Sequence, residues 1–325
     1  MRVERTRRAE STTWRATLNS KRLTKLNDVA LANRPFTTPG YVFMPISTHD
    51  RLLHMLKRRY PFRGYVDVHV DGLPAFVMFS NNDDLVAQTY FWFGPDAFES
   101  LSMRAWARLA RDARGVFDVG AFSGVYSLAA ATANRDARVW AVEPLLRTYA
   151  RLIVNIDANR LRRRVTPLEV AASDEDGVGD MHVYYGPYTM AAGSSLLASE
   201  RGDPVTVQRT ETLRLDTIVQ RWDTGPIDLV KIDVERAEEK VVSGAMGLIE
   251  RDRPHLIIEV ARPQELKAVV EMLVPLGYSW AVVNEEQRRF DIEDGTAAEE
   301  HFRNVLFAPT DTAGMRRLAG SIAPR

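Results

Sequence analysis

The stretch Val116-Phe-Asp-Val-Gly-Ala-Phe-Ser-Gly-Val-Tyr-Ser-Leu128, VFDVGAFSGVYSL, reads as an apolar strand running into a glycine turn and then a helix. In doubly wound sheets ligands sit beyond the carboxyl ends of the strands, and the first strand-to-helix turn faces them. That rule puts Asp118 to Gly124 at a site. A dinucleotide pyrophosphate asks for G-x-G-x-x-G and a bare helix N-terminus to meet its charge. This turn has only Gly120 and Gly124, with Ser123 before the second, and it carries Asp118 at the strand end.

A carboxylate there repels a pyrophosphate and attracts an ammonium or sulfonium centre. S-adenosylmethionine carries both centres and no phosphate. No Gly-Lys-Ser/Thr occurs anywhere in the chain, so a triphosphate loop is excluded. Glu143 ends the next apolar run, VWAVEP, 23 residues after Gly120. That is close to the ~20-residue spacing at which an acidic side chain meets ribose hydroxyls. The bland alternative is a helix-start glutamate beside Pro144. The third run ends Val170-Ala-Ala-Ser-Asp174, which offers Asp174 to an adenine amino group. A turn aspartate in Asp-Glu-Asp-Gly is the alternative.

Around this turn, apolar runs alternate with helical segments from Gly115 onward, the mark of βαβ units and a parallel sheet. Strands are expected at 116–119, Ala137–Val142, Val165–Ala171, Leu229–Asp233, His255–Val260, 279–283 and 304–308. The helices between them are expected at 123–133, Leu145–Ala158, Ala237–Ile249 and Pro263–Leu276. The expected class is α/β, a Rossmann-like doubly wound, mostly parallel sheet. A Gly-, Tyr-, Ser- and Thr-rich insertion at 177–212 reads as a lid or binding loop. Upstream, Val66, Val68 and Val70 alternate up to Asp71-Gly72, and Ala75–Phe79 follows as the second arm of a hairpin. Residues 27–97 thus form a small α+β lobe, and the main domain runs from 98 to 325. The aromatic run Tyr90-Phe-Trp-Phe93 suits core packing or stacking on a sugar.

A second cluster lies in IDLVKIDVERAEEKV, Ile227 to Val241. At period two, Lys231, Asp233 and Glu235 face one way and Val230, Ile232 and Val234 the other. A buried parallel strand is normally continuous in apolar residues, so charges at its carboxyl end suggest a site. Lys231 pairing with a neighbouring carboxylate is the plain alternative. Glu259 ends HLIIEV on the same rim. With Asp233 it makes a pair of carboxylates able to bind or deprotonate a hydroxyl acceptor. The six histidines are scattered in no ligand pattern, so no metal site is indicated.

The 43 basic and 43 acidic residues cancel, which removes the long-range field that would draw in nucleic acid or an anionic membrane. Zero cysteines exclude disulfides and thiolate chemistry and fit a cytoplasmic protein. Residues 1–26 are basic with no apolar run behind them, so they read as a solvated tail rather than a signal peptide. No window has the ~18 to 20 apolar residues of a membrane span.

VFDVGAFSGVYSL, VEP, NIDANRL, AASDEDG, GSSLL, TLRLDTI, IDLVKIDVERAE, SGAMGLIERDRPHLIIEV and NVLFAP, in this order between Gly115 and Pro309, resemble the FkbM-type S-adenosylmethionine-dependent methyltransferases. FGPDAFESL resembles that family's lead-in. The resemblance implies a class I methyltransferase fold and O-methylation of a hydroxyl on a sugar, glycan or polyketide-type small molecule. It places Asp118, Gly120, Ser123 and Gly124 at the methionine end of the cofactor, Glu143 at its ribose, Asp174 near its adenine and Asp233 beside the transferring methyl. Two residues depart from the family pattern. Phe122 stands where asparagine is usual, and Arg236 stands where glycine is usual, a large cation that would bind an anionic acceptor or point to solvent. These departures motivate a rival reading as a non-catalytic or weakly active binding protein on the same fold. A nicotinamide oxidoreductase is a second rival, and a nucleic-acid methyltransferase using the Arg160, Arg162, Arg163 and Arg164 patch a third.

Overall fold

The computed structural model describes residues 20–34, 46–184, 190, 194–196, 203–293 and 303–323. Most of the expected basic tail, and the middle of the expected insertion, lie outside these residues. Strands β1 (Gly64–Val68) and β2 (Phe76–Ser80) form the expected hairpin, with Val66 opposite Met78. The chain then makes β3 (Gly115–Val119), β4 (Arg138–Val142), β5 (Val165–Leu168), β6 (Ala171–Ala172), β7 (Gly177–Val183) and β8 (Thr206–Leu213). It ends with β9 (Leu229–Ile232), β10 (His255–Val260), β11 (Ser279–Asn284), β12 (Arg289–Ile292) and β13 (Arg303–Ala308).

Eight of these strands build one sheet in the order β12-β11-β13-β10-β9-β3-β4-β5. The run from β10 to β5 is parallel throughout, and β13 enters antiparallel between β10 and β11. This is the doubly wound, mostly parallel α/β architecture of the class I methyltransferases. Chain order reverses at β3, whose neighbours are β4 and β9, so the crevice above the β3 and β9 ends is the topological switch point. Two apolar clusters, one on each face, bury the sheet. Phe117, Val119, Val230 and Ile232 point into one, Val116 and Leu229 into the other. With both faces covered, polar side chains in β3 and β9 are costly unless a ligand or partner uses them.

Four expected elements differ in detail. The strand 165–171 divides, its last part becoming β6, which leaves the main sheet to pair with β8; β7 completes a separate three-stranded sheet. The 177–212 segment therefore supplies two long paired strands in addition to loop. The helix 237–249 breaks into Glu238–Ser243 and Met246–Asp252. The break falls at Gly244, where a Cβ would lie 2.0 Å from the Ser173 carbonyl oxygen, so the chain must carry glycine to pass β6's exit. The helix after β10 ends at Leu273 and tightens into a 3-10 turn, Val274–Leu276, at Pro275. The aromatic run lies in the helix Leu85–Phe93, with Tyr90 and Trp92 packed in the core rather than presented to a ligand.

Candidate functional site

The first turn is held in an unusual conformation. Gly120 (φ 79), Phe122 (φ 51) and Gly124 (φ 97) all adopt left-handed backbone angles. For Gly120 this is compulsory twice over, because a Cβ would also sit 1.7 Å from the Asp233 carbonyl oxygen. Phe122 takes the same angle at a steric cost, and asparagine tolerates that region better. The turn of the second cluster is similar, with Glu235 at φ 55 and Arg236 at φ 83. Both departures from the family pattern thus occupy left-handed positions, which explains the residue types usual there.

A single crevice joins the two turns. Asp118, Gly120, Ser123, Glu143, Lys231, Asp233, Glu235 and Glu259 all line it, and its free space, including the open mouth, is about 1260 Å³. Gly124 is not in its wall; it caps the helix Val125–Ala133 and faces Leu152. Asp174 is not in the wall either. Its carboxylate is bonded by Lys240 Nζ (3.2 Å) and Ser173 Oγ (2.9 Å); partial burial pushes its pKa up, and these bonds outweigh burial and hold it below the usual carboxylate value. Ala171 and Ala172 stand in the wall at the third position instead. The expectation that Arg236 faces an acceptor is also not met: its Nε lies 3.7 Å from Glu265 Oε1, away from the crevice.

Asp118 Oδ2 accepts from the Ser127 N–H (2.8 Å) and Oγ (2.6 Å), which ties β3 to the following helix. Burial pushes its carboxyl up to about 6 against those bonds and the nearby Lys231. Glu143 Oε2 accepts from the Phe122 N–H (2.8 Å), and its Oε1 accepts from the Leu145 N–H and Thr148 Oγ. Burial raises it to about 7. Glu143 therefore braces the turn as well as lining the crevice.

At the other end, Lys231 is 1% exposed, with its Nζ 3.3 Å from Asp233 Oδ2 and 5.1 Å from the Tyr126 ring centre. Burial alone would lower its basicity, but Asp233, Glu99 and Glu259 outweigh burial and hold it cationic. The plain reading of Lys231 as an internal ion-pair partner is what the structure shows. Glu259 is driven well above the usual carboxylate range by burial and by Asp233.

Glu99 escaped the sequence reading. It stands at the start of the helix Ser100–Ala110 with φ 44, yet its side chain does not cap that helix. The Leu101 and Ser102 N–H groups are met by Glu285 instead (2.8 Å each), which leaves the Glu99 carboxylate for the crevice wall. Tyr126 Oη and Asn304 Nδ2 both donate to Glu99 Oε2. Burial first, then the balance of Lys231 and Asp233, sets its carboxyl at about 7. No periodicity marks Glu99; only its place in FGPDAFESL hinted at a role.

These residues form a chemical test of the cofactor. The crevice wall holds six carboxyl groups, of Glu99, Asp118, Glu143, Asp233, Glu235 and Glu259, and one cation, Lys231, already committed to its neighbours. Among the described residues no arginine or histidine lines it. A pyrophosphate would meet like charge with no counter-cation, whereas a sulfonium, an ammonium and ribose hydroxyls all find acceptors. The site fits S-adenosylmethionine and does not fit a dinucleotide. Among the described residues no group of His, Asp or Glu side chains is arranged to hold a metal ion.

The chain is 29% identical over 202 residues to the 31-O-demethyl-FK506 methyltransferase FkbM of Streptomyces tacrolimicus, covering 54% of this chain and 75% of that protein. Among solved structures, methyltransferase FkbM of Methylobacillus flagellatus aligns at a TM-score of 0.40 and 17% identity, over 60% of this chain; the alignment spans only 44% of that protein. The O-methyltransferase TomG of Streptomyces achromogenes, solved in complex with S-adenosylmethionine, aligns at 0.39 and 13%, over 65% of this chain and 81% of that one. The methyltransferase FkbM domain matches residues 118–280, half of the chain and the span that carries both turns of the crevice, and the protein belongs to the FkbM methyltransferase family.

Proposed function

We propose that this protein transfers a methyl group from S-adenosylmethionine to a hydroxyl oxygen of an uncharged small molecule, such as a sugar, a glycan or a polyketide-type compound. The observation that carries this reading is the crevice at the switch point, rich in carboxyls and poor in cations. When bound, S-adenosylmethionine supplies an electrophilic methyl on a sulfonium. The protein's own part is to bind, orient and manage one proton.

In this reading Gly120 and Ser123 approach the methionine end, the Glu143 carboxyl meets the ribose, and Asp233 lies nearest the sulfonium. Asp233 is positioned by Lys231 on one side and lies beside Glu259, which it and burial push well above the usual carboxylate range. Glu99 is then the carboxylate that takes the hydroxyl proton, because its acidity sits near neutrality where a general base works best. Glu235 and Lys231 border the acceptor's side of the crevice. Most of the acceleration comes from holding two reactants together in a site shielded from water. An anionic acceptor is disfavoured, since Arg236 is turned to Glu265 and the wall is acidic.

Calorimetry with S-adenosylhomocysteine and with NAD tests the cofactor half: binding of the first alone supports the reading, and binding of NAD alone ends it. Transfer of labelled methyl from S-adenosylmethionine to a panel of glycosides, polyols and macrolides tests the acceptor half. Labelling only of phosphorylated or carboxylated members would overturn the preference for uncharged acceptors.

A further inference from the structure

Among the described residues the outer edge of β2 has no strand beside it, because β1 pairs with the other edge and the hairpin is a two-stranded sheet. Unpaired backbone groups on such an edge must find partners elsewhere. They find them on the helix Leu146–Ala158 and the residue after it. Asn159 Oδ1 accepts from the Val77 N–H (2.9 Å) and its Nδ2 donates to the Val77 carbonyl (2.7 Å). One turn back, Asn155 Oδ1 accepts from the Phe79 N–H (2.7 Å), and one turn further back Arg151 donates to the Phe79 carbonyl (3.0 Å). Spacing of four residues puts Arg151, Asn155 and Asn159 on one helical face, where they act as a substitute strand.

Asn155 does one thing its neighbours do not. Its Nδ2 donates to the carbonyl of Ser123 (2.8 Å), inside the left-handed turn of the crevice, and the residue is wholly buried. That turn is braced twice, at the Phe122 N–H by Glu143 and at the Ser123 carbonyl by Asn155. The second brace is also a backbone partner of β2. Only a neutral amide serves both ends, since one atom must accept and the other donate.

We propose that Asn155 couples the N-terminal hairpin to the cofactor turn, so that seating of the hairpin and occupation of the crevice by S-adenosylmethionine stabilise each other. This rests on the cofactor reading above. It makes the hairpin part of the cofactor site although no hairpin residue lines the crevice.

The test compares Asn155→Asp, Asn155→Ala and Asn159→Ala. Asn155→Asp keeps the acceptor for Phe79 and turns the donor facing Ser123 into an acceptor; Asn159→Ala loosens the same hairpin edge and leaves the bond to the turn in place. S-adenosylhomocysteine affinity, measured well below the unfolding temperature, should weaken about tenfold or more in both Asn155 variants and by a smaller factor, about twofold to threefold, in Asn159→Ala, whose looser hairpin edge still reaches the turn through Asn155. Hydrogen exchange read by mass spectrometry should rise in residues 119–126 only in the Asn155 variants, and in residues 76–80 in Asn155→Ala and Asn159→Ala. Bound S-adenosylhomocysteine should slow exchange in residues 76–80 of the unaltered protein but not of Asn155→Ala; equal protection in the two, or unchanged affinity in Asn155→Asp, overturns the coupling. Failure of the unaltered protein to bind S-adenosylhomocysteine would sink the cofactor reading itself, and the exchange pattern would still decide whether hairpin and turn are linked.

Discussion

Gly120 packs its Cα against the Asp233 carbonyl so closely that a Cβ would come within 1.7 Å of the oxygen. The contact joins the first turn, after β3, to the end of β9, and it fixes the distance between the two halves of the crevice. Gly120→Ala must push these strand ends apart and also hold φ 79, which alanine resists. The expected result is loss of S-adenosylhomocysteine binding by at least about a hundredfold, with a destabilisation of roughly 2 to 4 kcal/mol in urea unfolding. Near-normal binding in this variant would show that the approach of the two strands does not shape the pocket.

Arg236 sits at φ 83, and among the described residues its one ion pair is a partly exposed contact to Glu265 at 3.7 Å. Relief of left-handed strain, about 1 to 2 kcal/mol, exceeds what such a pair contributes, at most about 1 kcal/mol. Arg236→Gly should therefore raise the melting temperature by about 2 °C. Its S-adenosylhomocysteine affinity should stay unchanged by calorimetry. A lower melting temperature would mean that the Glu265 contact outweighs the backbone.

Glu238 is buried, and its Oε1 accepts from the Val234 and Arg236 N–H groups while Oε2 accepts nothing among the described residues. Burial raises it to about 7 from its ordinary value near 4.5. A carboxyl raised in the folded state stabilises the fold in its protonated form, fully so below the unfolded value, and that contribution is lost as pH climbs through about 7. Unfolding free energy should thus fall between about pH 5.5 and 8, with Glu238 responsible for on the order of 2 kcal/mol of the decline. Glu238→Gln, which cannot titrate, should flatten the profile by that amount. An unchanged slope in urea titrations at the two pH values would refute the assignment.

Glu99 is expected to act only when ionised, so turnover with an acceptor found by the panel should rise with pH through about 7. Glu99→Gln preserves an oxygen for Tyr126 and Asn304 but cannot take a proton. It should lower kcat by about a hundredfold or more and abolish the acidic limb of the profile. Binding of S-adenosylhomocysteine should persist. If Glu99→Gln keeps the acidic limb while Asp233→Asn removes it, the proton goes to Asp233 instead.

Much of this was legible in the chain. Runs such as VFDV, VWAV, LVKI and HLIIEV are too apolar for surface strands, and their alternation with helical periods leaves little but a doubly wound sheet. The two site turns also announce themselves, because glycine before a helix and charges at the end of a buried strand are locally unfavourable without a ligand. Their chemistry, carboxylates where a phosphate binder needs cations, already argued for a sulfonium cofactor.

What the chain left undecided concerns side chains whose role depends on partners far away in sequence. Arg236 and Asp174 lie in or beside motifs, yet Glu265 and Lys240 draw them away from the crevice. Glu99 enters the crevice because Glu285, 186 residues later, caps its helix in its place. Asn155 looks like one polar residue in an amphipathic helix until β2 and the Ser123 carbonyl arrive on either side of it. Periodicity and turn chemistry are local and are written in neighbouring residues. The satisfaction of buried charges and amides is settled only when packing decides which groups meet.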